Sequence, residues 1–267
     1  MHSVPGVGLA EVQAEYRGRD GDISHLIMGE LVHVGGLRAT LDLAARAGIE
    51  AGTGGVDLCC HTGGGMRALV RFCSVARMVG VDATEHVVER GRRICQNEGL
   101  EDRISFVLGD ACATGLAPGG ADFVWGEDAW CYVEQKAALI VEAARLLRSG
   151  GTIAFTDWVE GASGLSSSEA ERLLRHMRFP SIMSVSDYRD LLLDAGFRVE
   201  VAEDTDRFAS HFGLYRDMVT MQLSYDALKA VGFDQERMDA LEREREFIAG
   251  LAHKTKLVQA MFVARRT

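Results

Sequence analysis

Between residues 56 and 157 short apolar runs alternate with helical patterns, and this alternation constrains the fold more than any other feature of the chain. The runs fall at 56–60, 76–82, 104–108, 121–125 and 152–156. Each has the length of a strand and is nearly continuous in apolar character, as strands buried on both faces are. Helical patterns begin near Met66 and cover about 85–97 and 135–147, the last stopped by Gly150-Gly151. Strands separated by helices make βαβ units, so the expectation is an α/β, doubly wound, mainly parallel sheet with helices on both faces. A sixth strand over 197–201 and a last over 259–264 raise the expected total to seven.

The flanks read differently. Residues 20–50 predict two helices separated by Gly35-Gly36, with an apolar stripe of Leu41, Leu43, Ala44 and Ala47. Ser166 with Glu169 three residues on predicts a capping box opening a helix over 165–178. A helix over 187–195 ends at Gly196, and 209–252 is mainly helical. The expectation is one domain: a helical cap at 1–50, a core at 51–204, and a lid plus last strand at 205–267. The caps are expected to cover the mouth of the sheet.

Lys and Arg total 29 against 39 Asp and Glu, a net charge of −10. A nucleic-acid footprint needs a dense basic patch, so this balance argues against that partner. No apolar run reaches the roughly 18 residues of a membrane span. Residues 1–10 lack a cationic start and a long apolar stretch, so no secretory leader is expected and the cytoplasm is the expected location. The six cysteines are irregularly spaced, which suits reduced thiols better than a disulfide framework.

In open α/β sheets ligands sit outside the carboxyl ends of the strands. Asp57 lies in the first strand, and Gly63, Gly64 and Gly65 follow it. Asp82 ends the second strand, at the distance beyond Gly63 where a carboxylate takes ribose hydroxyls. Gly109-Asp110-Ala111 ends the third strand, and Gly126-Glu127-Asp128 follows the fourth. Together these acids and glycines resemble a class I S-adenosylmethionine-dependent methyltransferase, with a Rossmann-like fold. Residues 100–111 are similar to that family's third-strand segment, and 144–151 to its helix end before the fifth strand, with Ser149 where proline is usual. The resemblance covers about 50–200. Within the family the chain most resembles the sarcosine/dimethylglycine-type small-molecule N-methyltransferases, through residues 35–40, Glu127-Asp128-Ala129-Trp130 and Asp157.

The resemblance implies S-adenosylmethionine as cofactor, held by Asp57, Cys60, His61, Thr62, Gly63, Asp82, Ala83, Asp110, Ala111 and Gly126. It implies Asp82 on the ribose and Asp110 with Ala111 beside the adenine. One departure stands out: the family's Gly-x-Gly-x-Gly loop is here Cys59-Cys60-His61-Thr62-Gly63, and only the last glycine matches. Glycine serves such loops where backbone approaches a ligand or takes positive φ.

Cys59-Cys60-His61 invites a metal reading. Adjacent residues of a strand point to opposite faces, and the chain has no Cys-x-x-Cys, so no metal is expected. Trp125 reads as core, whereas Trp130, Tyr132 and Trp158 lie past strand ends, where they would line an apolar acceptor pocket or meet a cationic amine. Glu127, Tyr132 and His211 are the catalytic candidates. The reading is methyl transfer to a small molecule, with an amine favoured by Glu127 and an aromatic O- or C-acceptor left open. Two other classes remain: a nicotinamide-dependent oxidoreductase, which the missing Gly-x-Gly-x-x-Gly opposes, and an inactive ligand-binding protein.

Overall fold

The computed structural model describes residues 1–17 and 19–267, with side chains described outside 15–22. Seven strands form the main sheet: β1 (Gly54–Leu58), β2 (Arg77–Asp82), β3 (Ile104–Leu108), β4 (Ala121–Glu127), β5 (Leu147–Glu160), β6 (Phe197–Asp204) and β7 (Leu257–Arg266). Their spatial order is β3-β2-β1-β4-β5-β7-β6, and β7 runs antiparallel to both of its neighbours. All five residues of β1 are buried, as the unbroken apolar run predicts for a strand covered on both faces. The order reverses between β1 and β4, so their carboxyl ends frame the crevice in which doubly wound sheets bind ligands.

The helices are α1 (Leu9–Arg17), α2 (Arg19–Met28), α3 (Gly36–Ala47), α4 (Gly64–Phe72), α5 (Glu85–Asn97), α6 (Lys136–Leu146), α7 (Ser167–Met177), α8 (Val185–Asp194), α9 (Phe208–Asp217), α10 (Ser224–Ala230) and α11 (Gln235–His253). On one face of the sheet Leu58, Val124, Ile153 and Phe262 pack with Leu139 and Ile140 of α6 and Tyr188 and Leu192 of α8. On the other, Met78, Phe123, Trp125 and Val263 pack with Leu43 of α3 and Met66 and Leu69 of α4. The capping box of α7 is present, Ser166 accepting from Glu169 N–H and Glu169 from Ser166 N–H.

Several elements differ from expectation. β5 starts at Leu147, takes in Gly150-Gly151 and continues past Asp157 to Glu160, because β7 pairs with it from Thr152 to Glu160. Asp157 therefore sits inside a strand. Cys59 and Cys60 lie beyond the end of β1, so alternation across a strand does not govern where they point. Residues 209–252 break into α9, a π turn at Met218–Gln222, α10 and α11.

The two helical flanks meet. Ile23 of α2 packs with Val219, Ala227 and Val231, and with Met238 of α11. Trp158, at the far end of β5, gathers Phe179, Phe208, Phe212 and Ile248 into another cluster. Among the described residues no helix is long and apolar enough to cross a membrane.

Candidate active site

A cavity of about 280 Å³ opens at the carboxyl ends of β1, β2 and β4. The loop leaving β1 makes its floor. Cys59, His61 and Gly63 have φ of 63°, 50° and 77°, so left-handed residues alternate along the turn into α4. These are the positions of the expected glycines. Two carboxylate bonds stabilise the turn: Asp82 accepts from His61 N–H through Oδ2 and from Thr84 N–H through Oδ1, both at 2.9 Å. Asp82 thus ties the loop after β1 to the loop after β2. Burial raises its pKa, and these two bonds oppose the rise.

Gly65, in the first turn of α4, permits a close approach. A Cβ there would lie 2.5 Å from Glu127 Oε2 at the end of β4. That oxygen accepts from Trp125 Nε1 at 3.0 Å. Oε1 of Glu127 lies 3.4 Å from His33 Nε2 without hydrogen-bond geometry, and is buried with no hydrogen bond. His33 Nε2 is also 3.1 Å from Thr40 Oγ1, and its buried Nδ1 has no partner. Nearby Asp57 has a raised pKa from burial, then from repulsion by Glu127 and Asp82. His61 has its pKa lowered to about 3, first by burial and then by nearby His25 and Arg90, so its imidazole is neutral at ordinary pH. Leu9 and Val12 of α1 border the cavity, and Gln13 Nε2 donates to Ala83 O at 2.7 Å, fastening that helix across the edge.

A second cavity, of about 330 Å³, lies beneath α2, α9 and α11. Val32, His33, Asp128 and Tyr132 line both cavities and form the wall between them. Trp158 lines the second, edge-on to Phe179 and Phe212 at centroid distances of 5.6 and 5.3 Å. Asp128 holds the wall together, accepting from Val34 N–H and from Gln259 Nε2 of β7, each at 2.8 Å.

Asp57, Cys60, His61, Asp82, Ala83, Asp110, Ala111, Glu127 and Tyr132 all line the first cavity. Thr62, Gly63 and Gly126 do not. Thr62 is buried, with its carbonyl accepting from Arg67 at 2.5 Å, and Gly63 caps α4. Gly126 makes room for Trp130, whose indole would meet a Cβ there at 2.3 Å. His211 borders neither cavity: its Nδ1 lies 2.8 Å from Arg207 O, one turn back on α9. Trp130 is not a pocket residue either. It is fully buried, donates to Leu58 O at 3.1 Å and stacks on Phe155. His33 was not singled out in the sequence, where it stands alone in an unremarkable stretch before Gly35-Gly36. Among the described residues no group of three or more His, Cys, Asp or Glu side chains is arranged to hold a metal.

A family model described as a methyltransferase domain matches residues 56–155, the span from β1 into β5 that builds the crevice. The match covers less than half of the chain. It is 29% identical over 182 residues to dimethylglycine N-methyltransferase of Parasynechococcus marenigrum, covering 67% of this chain and 63% of that protein. It is also 29% identical over 167 residues to sterol 24-C-methyltransferase of Eremothecium gossypii, covering 61% of this chain and 44% of the relative. The chain spans about half the length of the curated relatives it matches. In fold, a proposed sarcosine dimethylglycine methyltransferase of Galdieria sulphuraria superposes with a TM-score of 0.78 over 86% of both chains at 22% identity. The cyclase SpnF superposes with a TM-score of 0.79 over 100% of this chain and 99% of that one at 17% identity. One fold thus carries differently named activities, and the reaction has to be argued from the site.

For a methyltransferase domain the first cavity has a fitting charge. Glu30, Asp57, Asp82, Asp110, Glu127 and Asp128 line it, and among the described residues no Lys or Arg does. S-adenosylmethionine carries a sulfonium, an ammonium and vicinal hydroxyls, which carboxylates attract or accept from.

Proposed function

We propose that this domain transfers a methyl group from S-adenosylmethionine to a small-molecule acceptor whose reacting atom is an amine nitrogen. The observation that carries the reading is the shared wall of Val32, His33, Asp128 and Tyr132, which sets an acid-lined cavity against an aromatic one. Bound in the first, S-adenosylmethionine supplies a methyl made electrophilic by its sulfonium. The residues of this chain contribute alignment, exclusion of water and proton removal. Asp82 accepts from the ribose hydroxyls, Asp110 and Ala111 border the adenine, and Asp57 lends negative charge. At the wall Glu127 and Tyr132 orient the amine, and His33, which lines both cavities, takes its proton. The amine reading rests on the buried side-chain carboxylate of Glu127 and is supported by the dimethylglycine N-methyltransferase relative.

Calorimetry with S-adenosylhomocysteine and with NAD, followed by turnover on amines, phenols and thiols, tests the reading. We expect the first ligand alone to bind, and methylation of an amine. Binding of NAD in its place overturns the class, and turnover confined to phenols overturns the amine. Glu127→Gln and Tyr132→Phe should each lower turnover at least about tenfold, about 1.4 kcal/mol in the barrier. S-adenosylhomocysteine affinity should change little in either variant.

A further inference from the structure

The loop after β1 carries side chains where its backbone favours glycine. Cys59, His61 and Gly63 all take positive φ, and only the last of them is a glycine. A residue with a Cβ is disfavoured there, so bonds from elsewhere must hold the loop in this form. Two of them meet at His61-Thr62. Asp82 accepts from the His61 N–H at 2.9 Å, and Arg67 Nη1 donates to the Thr62 carbonyl at 2.5 Å.

Arg67 ends the first turn of α4, is 5% exposed and borders neither cavity, so it acts from behind the loop. Its guanidinium reaches two further segments. Nη2 donates to Glu30 Oε2 at 2.8 Å, and Nε lies 3.7 Å from Glu98 Oε2, just past α5. Arg90 of α5 donates to the other Glu30 oxygen at 3.4 Å. Glu30 begins the segment that runs through Val32 and His33 into the wall between the cavities. That segment rests on the start of α4, where a Cβ at Gly64 would collide with the Glu30 carbonyl. The rigid fork of an arginine holds two such oxygens at once, and charged donors make the stronger hydrogen bonds.

We propose that Arg67 is a positioning residue for the cofactor: it holds the loop after β1 in the form that the usual glycines would adopt unaided. The proposal rests on the methyltransferase reading for the ligand that the loop meets. A loop already held in its binding form spares the ligand the cost of ordering it. Glycine at position 61 takes φ of either sign freely, so restoring it should lessen the need for Arg67.

The test is a double-mutant cycle on the full chain with Arg67→Gln and His61→Gly, read by calorimetry with S-adenosylhomocysteine and by urea denaturation. Arg67→Gln alone should weaken S-adenosylhomocysteine binding about fivefold or more. The same change in the His61→Gly chain should weaken it less than about twofold. Each loss is taken within one background, so the effect of His61→Gly by itself cancels. Unchanged affinity in Arg67→Gln, or losses of similar size in both backgrounds, overturns the proposal. A merely structural arginine would lower the stability of both chains alike and leave the affinity of the folded protein as it was. If Arg67→Gln does not fold, Arg67→Lys, which keeps the charge beside Glu30 and gives up the fork, carries the same comparison with the same criteria. If the parent chain binds no S-adenosylhomocysteine, the methyltransferase reading falls and urea stability decides the rest. A larger loss from Arg67→Gln in the parent than in the His61→Gly chain then upholds the arginine's hold on the loop, and equal losses overturn it.

Discussion

Cys59 and His61 occupy left-handed backbone where a Cβ is costly, by about 1–2 kcal/mol per residue. The turn persists because Asp82 binds its His61 N–H and Cys59 N–H donates to Val81 O at 2.8 Å. A glycine at 59 relieves that cost but loses about 0.5–1 kcal/mol through its freer unfolded chain. We therefore expect Cys59→Gly to stay close to the parent in chemical denaturation, and Cys59→Val to be less stable than Cys59→Gly by at least about 1 kcal/mol. A second residue-scale effect concerns Asp157, which accepts from Tyr188 Oη at 2.6 Å and from Cys131 N–H at 3.0 Å. Burial outweighs these bonds and lifts its pKa to about 6. The native state therefore holds this proton more tightly than the unfolded chain does. Its contribution to stability is present below about pH 4 and is lost as pH rises to about 6, a loss on the order of 3 kcal/mol. Asp157→Asn should flatten that part of the stability curve, as urea denaturation across the window would show.

At the scale of elements, one carboxylate joins three segments distant in sequence. Asp128, just past β4, binds the backbone ahead of α3 through Val34 and the last strand through Gln259. Asp128→Ala leaves a buried amide N–H and a buried side-chain amide without that acceptor, and each loss costs about 1–3 kcal/mol. We expect a stability loss of about 3 kcal/mol and faster proteolytic cleavage within the first 35 residues. Asp128→Asn, which keeps one acceptor oxygen, should lose less. Pairing between β5 and β7, from Thr152 with Arg265 to Glu160 with Leu257, carries both strands past their apolar cores and brings Trp158 of β5 into the wall of the second cavity.

At the scale of the whole molecule, the acid-lined cavity couples ligand charge to protonation. Asp57 has its pKa raised by burial and by the neighbouring Glu127 and Asp82. A sulfonium among these groups favours the ionised carboxylate, whereas the neutral sulfur of S-adenosylhomocysteine does so less. The affinity ratio of S-adenosylmethionine to S-adenosylhomocysteine should therefore rise with pH, from about pH 4 up through the raised value of Asp57. A ratio independent of pH would separate Asp57 from the charge of the cofactor.

Local signals along the chain define the layered sheet and most of the acids at its edge. Apolar runs, glycine stops and the capping box at Ser166 are local signals, and Asp57, Asp82, Asp110 and Glu127 sit at or beside strand ends that those signals define. What meets across the crevice is set by long-range contacts. The Val34 and Gln259 bonds to Asp128 span 94 and 131 residues, and no period or spacing encodes such a contact. His33 gains its place from the loop before α3 folding onto the end of β4, and His211 loses its place because its ring turns back along α9. Trp130 has the composition of a pocket residue, yet the missing side chain at Gly126 gives it a slot in the core. The two cavities are likewise a property of the assembled walls, because residues far apart in the chain contribute to each of them.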